Sequence, residues 1–315
     1  MSIGKRLKSL KIGGLQVEGN IFLAPLAGYS DMAFRKICLR YGADLAFTEM
    51  VSCKGLVYGS EKTGELLKFG EDEKIKAAQI FGCEPDIMRE ACYKKELAVC
   101  DIIDINMGCP VPKIFGNGEG SALLNKPELA AKIVGEVKKA AGRVTVKMRT
   151  GAERDKKVTA EFSKALADAG ADMITVHGRT RPEYYSGEPD YDEIARAADA
   201  VKIPVIANGG IFCEEDAEKM FANTGCDGIM IARGALYEPY IFAKLKGKEI
   251  YPFKEAVREQ IETSRKLYGD RHAAVNLRKQ LACYLKGVRD GKRYKEKIFA
   301  SESCDELIKL IGEVF

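Results

Sequence analysis

The sequence predicts a (β/α)₈ barrel over residues 1–244 followed by a small all-helical domain over residues 251–315. Three observations predict it: short apolar runs rich in β-branched residues recur through the first 235 residues, amphipathic stretches separate them, and the recurrence stops after Tyr240. The runs are Ile21–Ala24, Leu45–Thr48, Ala77–Ile80, Ile102–Asn106, Val144–Met148, Met173–His177, Val205–Ala207 and Gly228–Ile231. They are nearly continuous in apolar character, as strands covered on both faces must be, and strands separated by helices pair in parallel. Eight such units match the usual barrel length of about 250 residues. A doubly wound open sheet is the alternative architecture.

The helices carry their own punctuation. Asp31 is placed to cap a helix over Met32–Tyr41 that Gly42 ends, and Asn125 with Pro127 in the first turn opens a helix that Gly142 closes. Gly42-Ala43-Asp44, Gly170-Ala171-Asp172 and Gly225-Cys226-Asp227 each stand just before a run, where glycine accepts the left-handed backbone that turns a helix back into the sheet. Beyond Tyr240, Phe253–Tyr268, Asn276–Arg289 and Asp305–Val314 read as helices, and Gly247 and Pro252 put the domain boundary at Lys244–Tyr251.

Composition excludes several classes. With 46% hydrophobic residues and with 31 Gly and 10 Pro in no period, the chain is neither disordered nor collagen-like. No apolar run nears the roughly 18 residues of a membrane helix, and the basic start Met1–Lys11 is not followed by a signal-peptide core, so the expectation is a cytoplasmic protein with no membrane partner. The ten cysteines include no Cys-x-x-Cys pair and form no disulfide framework. His177 and His272 lie far apart, so no metal site is expected. The net charge of +4 divides unevenly: residues 241–315 hold 17 Lys/Arg against 11 Asp/Glu.

In such a barrel the reacting groups stand at the C-terminal ends of the strands. The first run leads into Ala24-Pro25-Leu26-Ala27-Gly28, the third holds Gln79, and the fourth leads into Asn106-Met107-Gly108-Cys109-Pro110. The fifth ends in Lys147-Met148-Arg149, the sixth in His177-Gly178-Arg179-Thr180-Arg181, the seventh in Asn208-Gly209-Gly210 and the eighth in Arg233-Gly234. The glycines at 209, 210 and 234 stand where barrels commonly hold a phosphate on backbone N–H groups, and Arg233 adds a charge that can pair with two phosphate oxygens. Taken alone, Asn-Gly-Gly also reads as a plain chain reversal, and its position is what favours phosphate. Lys147 and His177 bring a cation and an imidazole to one mouth, though each alone reads as a satisfied structural group. Lys147 also fits the Schiff-base lysine of a phosphate-binding aldolase- or isomerase-type barrel.

Cys109 differs from the other nine cysteines in opening a loop between Gly108 and Pro110 rather than lying in an apolar helix or strand. Its crossover is the longest, about 40 residues, and long barrel loops are usually functional. As a nucleophile the thiol needs an adjacent base; with an ordinary pKa of about 8.5 it is mainly protonated at pH 7 and serves as an acid. The residue types leave both roles open.

Ala24-Pro25-Leu26-Ala27-Gly28, Asp104-Ile105-Asn106-Met107-Gly108-Cys109-Pro110, Gly120-Ser121-Ala122-Leu123-Leu124, His177-Gly178-Arg179-Thr180-Arg181 and Pro204-Val205-Ile206-Ala207-Asn208-Gly209-Gly210 together resemble the tRNA-dihydrouridine synthases. The resemblance runs from about Phe22 to Arg233 and, more weakly, through Arg278-Lys279-Gln280 to Tyr284-Leu285-Lys286. It implies an FMN-containing barrel with a helical C-terminal domain that reduces the C5–C6 double bond of particular uridines with NADPH. Carried over, Pro25, Leu26 and Ala27 lie against the flavin, Gln79 bonds its pyrimidine edge, and Lys147 and His177 contact the ring system. Asn208, Gly209, Gly210, Arg233 and Gly234 hold the phosphate, Cys109 matches the general acid, Asn106 and Arg179 match positions facing the uracil, and Arg278, Lys279 and Lys286 fall among the RNA-gripping residues.

The chain departs from the family pattern at Ala232, where Gly is common, at Gly210, where Asp is common, and at Gln280 and Cys283, where His and Trp are frequent. The tail departures bear on how RNA docks more than on the reaction. Nine Lys/Arg against two acids between Arg271 and Lys297 suit a domain that grips the phosphates of a folded tRNA, and Tyr284 and Tyr294 among them are candidates for stacking on bases or for core. A solvated helix face is the plainer reading of that charge, and an RNA-binding barrel without chemistry is the non-enzymatic alternative. No obligate protein partner is implied, and the chain reads as a monomer.

Overall fold

A computed structural model of the chain describes residues 3–315, so Met1 and Ser2 of the basic start lie outside it. All eight expected strands form. After a hairpin of β1 (Leu10–Ile12) and β2 (Leu15–Val17) come β3 (Ile21–Leu23), β4 (Leu45–Ser52), β5 (Ala77–Phe81), β6 (Ile102–Met107), β7 (Val144–Arg149), β8 (Met173–His177), β9 (Val205–Asn208) and β10 (Gly228–Ile231). Parallel pairing runs in sequence order from β3 to β9, and β10 pairs with both β9 and β3, which closes the barrel. The open-sheet alternative is thereby excluded.

The interior of the barrel is apolar at its base. Phe22, Leu45, Phe47, Ala77, Ile102, Met173, Ile206 and Met230 pack together there, and Leu10, Ile12 and Val17 of the hairpin join them as a plug. The hairpin was not expected, although Leu10-Lys11-Ile12 and Leu15-Gln16-Val17 alternate around Gly13-Gly14. That is the signature of a two-residue hairpin, and both glycines take positive φ, +52° and +83°. A larger apolar layer lies between the strands and their surrounding helices.

The Gly-x-Asp recurrence proves to hold two devices. Gly42, Gly170 and Gly225 turn the chain at φ +98°, +104° and +61°, as expected. The aspartates after them tie adjacent strands together at the base. Asp44, Asp172 and Asp227 each donate a backbone N–H to the carbonyl of Ile21, Val144 and Val205, and each accepts that same residue's N–H on a carboxylate oxygen. Asp101 makes the same double bridge to Lys76 without a preceding glycine. Lysines cover three of them, Lys246 on Asp44, Lys138 on Asp172 and Lys8 on Asp227.

Some helix ends differ from expectation. Asp31 caps Met32–Arg40 by accepting the Phe34 N–H, as expected, but Asn125 does not open the helix Pro127–Ala141. Asn125 ends a preceding 3₁₀ turn, Lys126 occupies the cap, and Pro127 starts the helix because its lost N–H costs nothing there. The tail forms four helices, Phe253–Tyr268, Asp270–Tyr284, Gly291–Ala300 and Cys304–Val314. The helix expected at Asn276–Arg289 therefore starts six residues earlier and ends five earlier, stopped by a turn in which Gly287 and Asp290 take φ +79° and +57°. Between the barrel and the tail, Lys246 pairs with Asp44 and the Tyr41 hydroxyl donates to the Tyr251 carbonyl. No helix among the described residues is long and apolar enough to cross a membrane.

Removing one base bridge leaves a strand-end N–H unpaired, so Asp172→Ala is expected to lower unfolding stability by about 1–3 kcal/mol in a urea titration. Lys138→Met, which removes only the partly exposed partner, is expected to cost less than about 1 kcal/mol. Equal effects of the two would mean that the ion pair, not the bridge, stabilises the base.

Candidate active site

Above the apolar base, the inward positions of the strands turn polar with a period of two. β6 runs Ile102, Asp104, Asn106; β7 runs Thr145, Lys147, Arg149; β8 runs Met173, Thr175, His177; β9 runs Ile206, Asn208. Register sets these side by side, Asp104 beside Thr145, Asn106 beside Lys147, Arg149 beside His177 and His177 beside Asn208. Asn106, Lys147, Arg149, His177 and Asn208 line a cleft of about 280 Å³ together with Pro25, Leu26, Ala27, Gln79, Cys109, Arg179, Gly209, Gly210 and Arg233, and Asp104 and Thr145 lie beneath it.

Asp104, 1% exposed, begins a chain of hydrogen bonds. It accepts from Gln79 Nε2 at 2.6 Å and from the Thr145 hydroxyl at 2.6 Å. These bonds fix the Gln79 amide, whose Oε1 then accepts from Asn106 Nδ2 at 2.9 Å. Asn106 in turn aims Oδ1 at the backbone N–H groups of Gly108 and Cys109, at 3.1 and 2.9 Å. The chain thus runs from a buried carboxylate to the thiol-bearing loop. Burial pushes the Asp104 carboxyl up to about 6, against the pull of Gln79, Thr145 and Lys147.

Cys109 is held from its other side by Ser121, whose hydroxyl and N–H both donate to the Cys109 carbonyl. Gly120 must be glycine here, since at φ +59° a Cβ would stand 3.0 Å from the Cys109 Cβ and carbonyl oxygen. Burial raises the thiol above its usual range, partly offset by the Val111 N–H and the Arg149 charge, so it is protonated at neutral pH.

On the opposite wall Lys147 Nζ donates to Asn208 Oδ1 at 2.9 Å, and Asn208 Nδ2 donates to the Met230 carbonyl. Enclosure by protein, reinforced by Arg149 and opposed by Asp104, brings the Lys147 ammonium down to about 8. His177 is held well below its ordinary value by burial and by the cations Lys147, Arg149, Arg179 and Arg233, so it is neutral. Arginine only donates, so the 3.0 Å contact from Arg179 Nη1 makes His177 Nε2 the acceptor and leaves the proton on Nδ1. Each nitrogen of Arg179 has a partner, since Nε and Nη2 donate to the carbonyls of Ser186 and Gly187.

Beside them the backbone forms a shallow cradle. Gly209 and Gly210 take φ +124° and +67°, and a Cβ on Gly234 would collide with the Ile211 carbonyl oxygen. Arg233 sits at its lip between the rings of Tyr185 and Phe212, 4.6 and 5.4 Å from their centroids. The tail residues fare differently. Lys286 reaches the rim, with Nζ 3.9 Å from the Tyr237 ring centroid, and Lys279 Nζ lies 4.9 Å from that of Tyr29 beside Gly28. Arg278 stands apart, donating from Nε and Nη2 to the Ser301 carbonyl. Tyr284 is core, its buried hydroxyl donating to Gln260.

Sequence reasoning missed Arg149, given no role, and the exposed aromatic rim of Tyr184, Tyr185 and Phe212. Two adjacent tyrosines just beyond a strand end, and an inward arginine two residues past Lys147, were the available signals.

The family model for dihydrouridine synthase matches residues 22–313. The chain belongs to the dihydrouridine synthase family. It is 36% identical over 315 residues to tRNA-dihydrouridine synthase B of Pasteurella multocida, covering 96% of this chain and 95% of that protein. It is 33% identical to tRNA-dihydrouridine synthase B of Vibrio cholerae, covering 97% and 98%. Among solved structures, histamine dehydrogenase from Rhizobium sp. 4-9 superimposes with a TM-score of 0.61 at 15% identity over 81% of this chain and 50% of that one. A morphinone reductase mutant in complex with tetrahydroNAD gives 0.57 at 12% identity over 78% and 90%. These two likenesses show the barrel fold.

A flavin fits this member of the family. Gly209, Gly210 and Arg233 line the cleft, Gly234 packs too closely on the Ile211 carbonyl to carry a Cβ, so this turn offers bare backbone, and Gln79 and Lys147 present fixed polar groups at the cleft floor. Because Lys147 loses its charge above about pH 8, FMN affinity is expected to fall as pH rises from 7 to 9.5, as read by quenching of FMN fluorescence. In Lys147→Met the affinity should be weaker throughout and flat across that range. An affinity of the parent that does not change with pH would remove Lys147 from the flavin site.

Proposed function

We propose that this enzyme reduces the C5–C6 double bond of particular uridines in tRNA, using FMN that NADPH reduces. The observation that carries this reading is the continuous chain from Asp104 through Gln79 and Asn106 to the Cys109 loop, which sets a protonated thiol beside the polar groups suited to a flavin. Support for tRNA as the substrate comes from the relatives, named tRNA-dihydrouridine synthase.

Pro25, Leu26 and Ala27 form one wall against the ring system, Gln79 meets its pyrimidine edge, and Lys147, oriented by Asn208, and His177 approach it from β7 and β8. Gly209, Gly210, Arg233 and Gly234 hold the phosphate. When bound and reduced, the flavin supplies the hydride that reaches C6 of uracil. Cys109 then gives its proton to C5, where the electron pair released from the double bond collects, and regains one from water. A raised thiol suits an acid that must keep its proton until that moment. The rival Schiff-base role is disfavoured for Lys147, whose ammonium is already engaged by Asn208.

A uracil inside a folded RNA must leave its stack to enter the cleft. The rim of Tyr184, Tyr185, Phe212 and Val111 offers apolar faces to neighbouring bases, and Lys286 with the exposed Arg289, Lys292 and Arg293 offers charge to the backbone. We assign residues 251–315 as the RNA-gripping domain, with Arg278 holding that domain together rather than meeting RNA. Action on tRNA fits a cytoplasmic enzyme.

Cys109→Ala is expected to bind FMN and accept electrons from NADPH while losing about 10²–10⁴-fold in dihydrouridine formation, read by mapping the modified base in tRNA. Full turnover in that variant would overturn the acid assignment. Lys286→Glu with Arg289→Glu is expected to weaken tRNA binding and to lower the slope of log affinity against log salt by about 0.7–0.9 for each phosphate no longer neutralised. Parent-like binding at both low and near-physiological salt would make this stretch a solvated surface.

A further inference from the structure

Arg149 is 3% exposed and has no carboxylate partner among the described residues. Its guanidinium is satisfied by backbone carbonyls instead. Nε donates to Gly108 at 2.9 Å, and Nη1 donates to Thr180 at 3.0 Å and to Tyr184 at 2.9 Å. One side chain from the end of β7 therefore straps the loop that carries Cys109 to the loop that carries Tyr184 and Tyr185. Tyr184, whose carbonyl takes one of these bonds, has φ +49°, a backbone that a bulky residue rarely adopts. Nη2 makes none of these bonds. It has no hydrogen-bond partner among the described residues, and it is not sealed from the cleft that Arg149 lines.

A buried cation with one amino group left over, fixed immediately behind the acid, is arranged for an oxygen that gains negative charge. Uracil reduction generates one. When hydride adds to C6, the π electrons of the C5–C6 bond move toward C5 and onto the C4 carbonyl oxygen. The proton from Cys109 then forms the C5–H bond and restores the carbonyl. C4 is bonded to C5, so an oxygen on C4 lies next to the carbon that Cys109 must reach, on the side where Arg149 stands behind Gly108. Arg179 is less suited, since every one of its nitrogens already has a partner.

We propose that Arg149 is a second catalytic residue, whose Nη2 donates to the C4 oxygen of the uracil and stabilises the charge that gathers there during hydride addition. This rests on the reductase reading above. The same strap keeps Cys109 and the aromatic rim at a fixed separation, so the donor and the acid arrive together.

The test pairs a protein change with a substrate change. The RNA carries either uridine or 4-thiouridine at the position where the parent forms dihydrouridine, because sulfur accepts hydrogen bonds weakly. In equilibrium binding the parent is expected to hold the 4-thiouridine RNA up to about tenfold more weakly, and Arg149→Met to hold both alike. In single turnovers from NADPH-reduced protein, Arg149→Met is expected to lose about 10²–10³-fold on uridine. Arg149→Gln, which removes the charge but keeps an amide for the loop carbonyls, takes its place if the methionine variant fails to retain FMN. The same 4-thiouridine penalty in parent and variant, or undiminished turnover, would reduce Arg149 to a strap. A parent that forms no dihydrouridine at all would instead overturn the reductase reading itself.

Discussion

Pairing of β10 with β3 is the constraint on which the site depends. Without it, the Pro25 loop after β3 and the Arg233 turn after β10 would lie at opposite edges of a sheet. With it, eight strand ends form one ring, and groups from every part of residues 24–233 face a common cleft. The base is secured by the hairpin plug and the aspartate bridges. Stability and chemistry therefore occupy opposite ends of the same strands, which leaves the polar end free to carry groups that burial penalises.

The cost of that arrangement is visible in the charges. Lys147, Arg149, Arg179 and Arg233 crowd one side of the cleft, and Asp104 is the buried carboxylate that faces them. Each cation is pulled toward a neighbour that orders it, Lys147 to Asn208, Arg149 and Arg179 to carbonyls, Arg233 to aromatic rings. Such a site is suited in electrostatic terms to a ligand that brings negative charge. The surplus adds to burial in keeping His177 neutral, and Arg149 restrains the rise of the Cys109 thiol.

The tail is tied to the barrel close to the chemistry. Lys286 rests on Tyr237, which stacks on Phe212, and Phe212 flanks Arg233. This gives a physical path between the C-terminal helices and the glycine turn at the cleft. Lys279 reaches the Pro25–Gly28 loop in a similar way. Two tail lysines expected to meet RNA alone therefore also touch the rim of the cleft.

The sequence by itself determined the eight strands, the glycine turns, and most of the cleft, because these follow from local patterns. Short apolar runs must be covered, and glycine before a strand must turn the chain. It also held the two-residue alternation at 102, 104, 106 and at 145, 147, 149 that separates apolar base from polar mouth, though that pattern has meaning only once the barrel closes. Tertiary structure alone decided which polar group serves which purpose. Arg278 and Arg149 are both arginines on regular elements, yet one spends its donors on a distant carbonyl while the other keeps an amino group open to the cleft. Hydrogen-bond partners 61 and 31 positions apart, Lys147 with Asn208 and Arg149 with Thr180, are set by strand register and loop path, and no local periodicity encodes them.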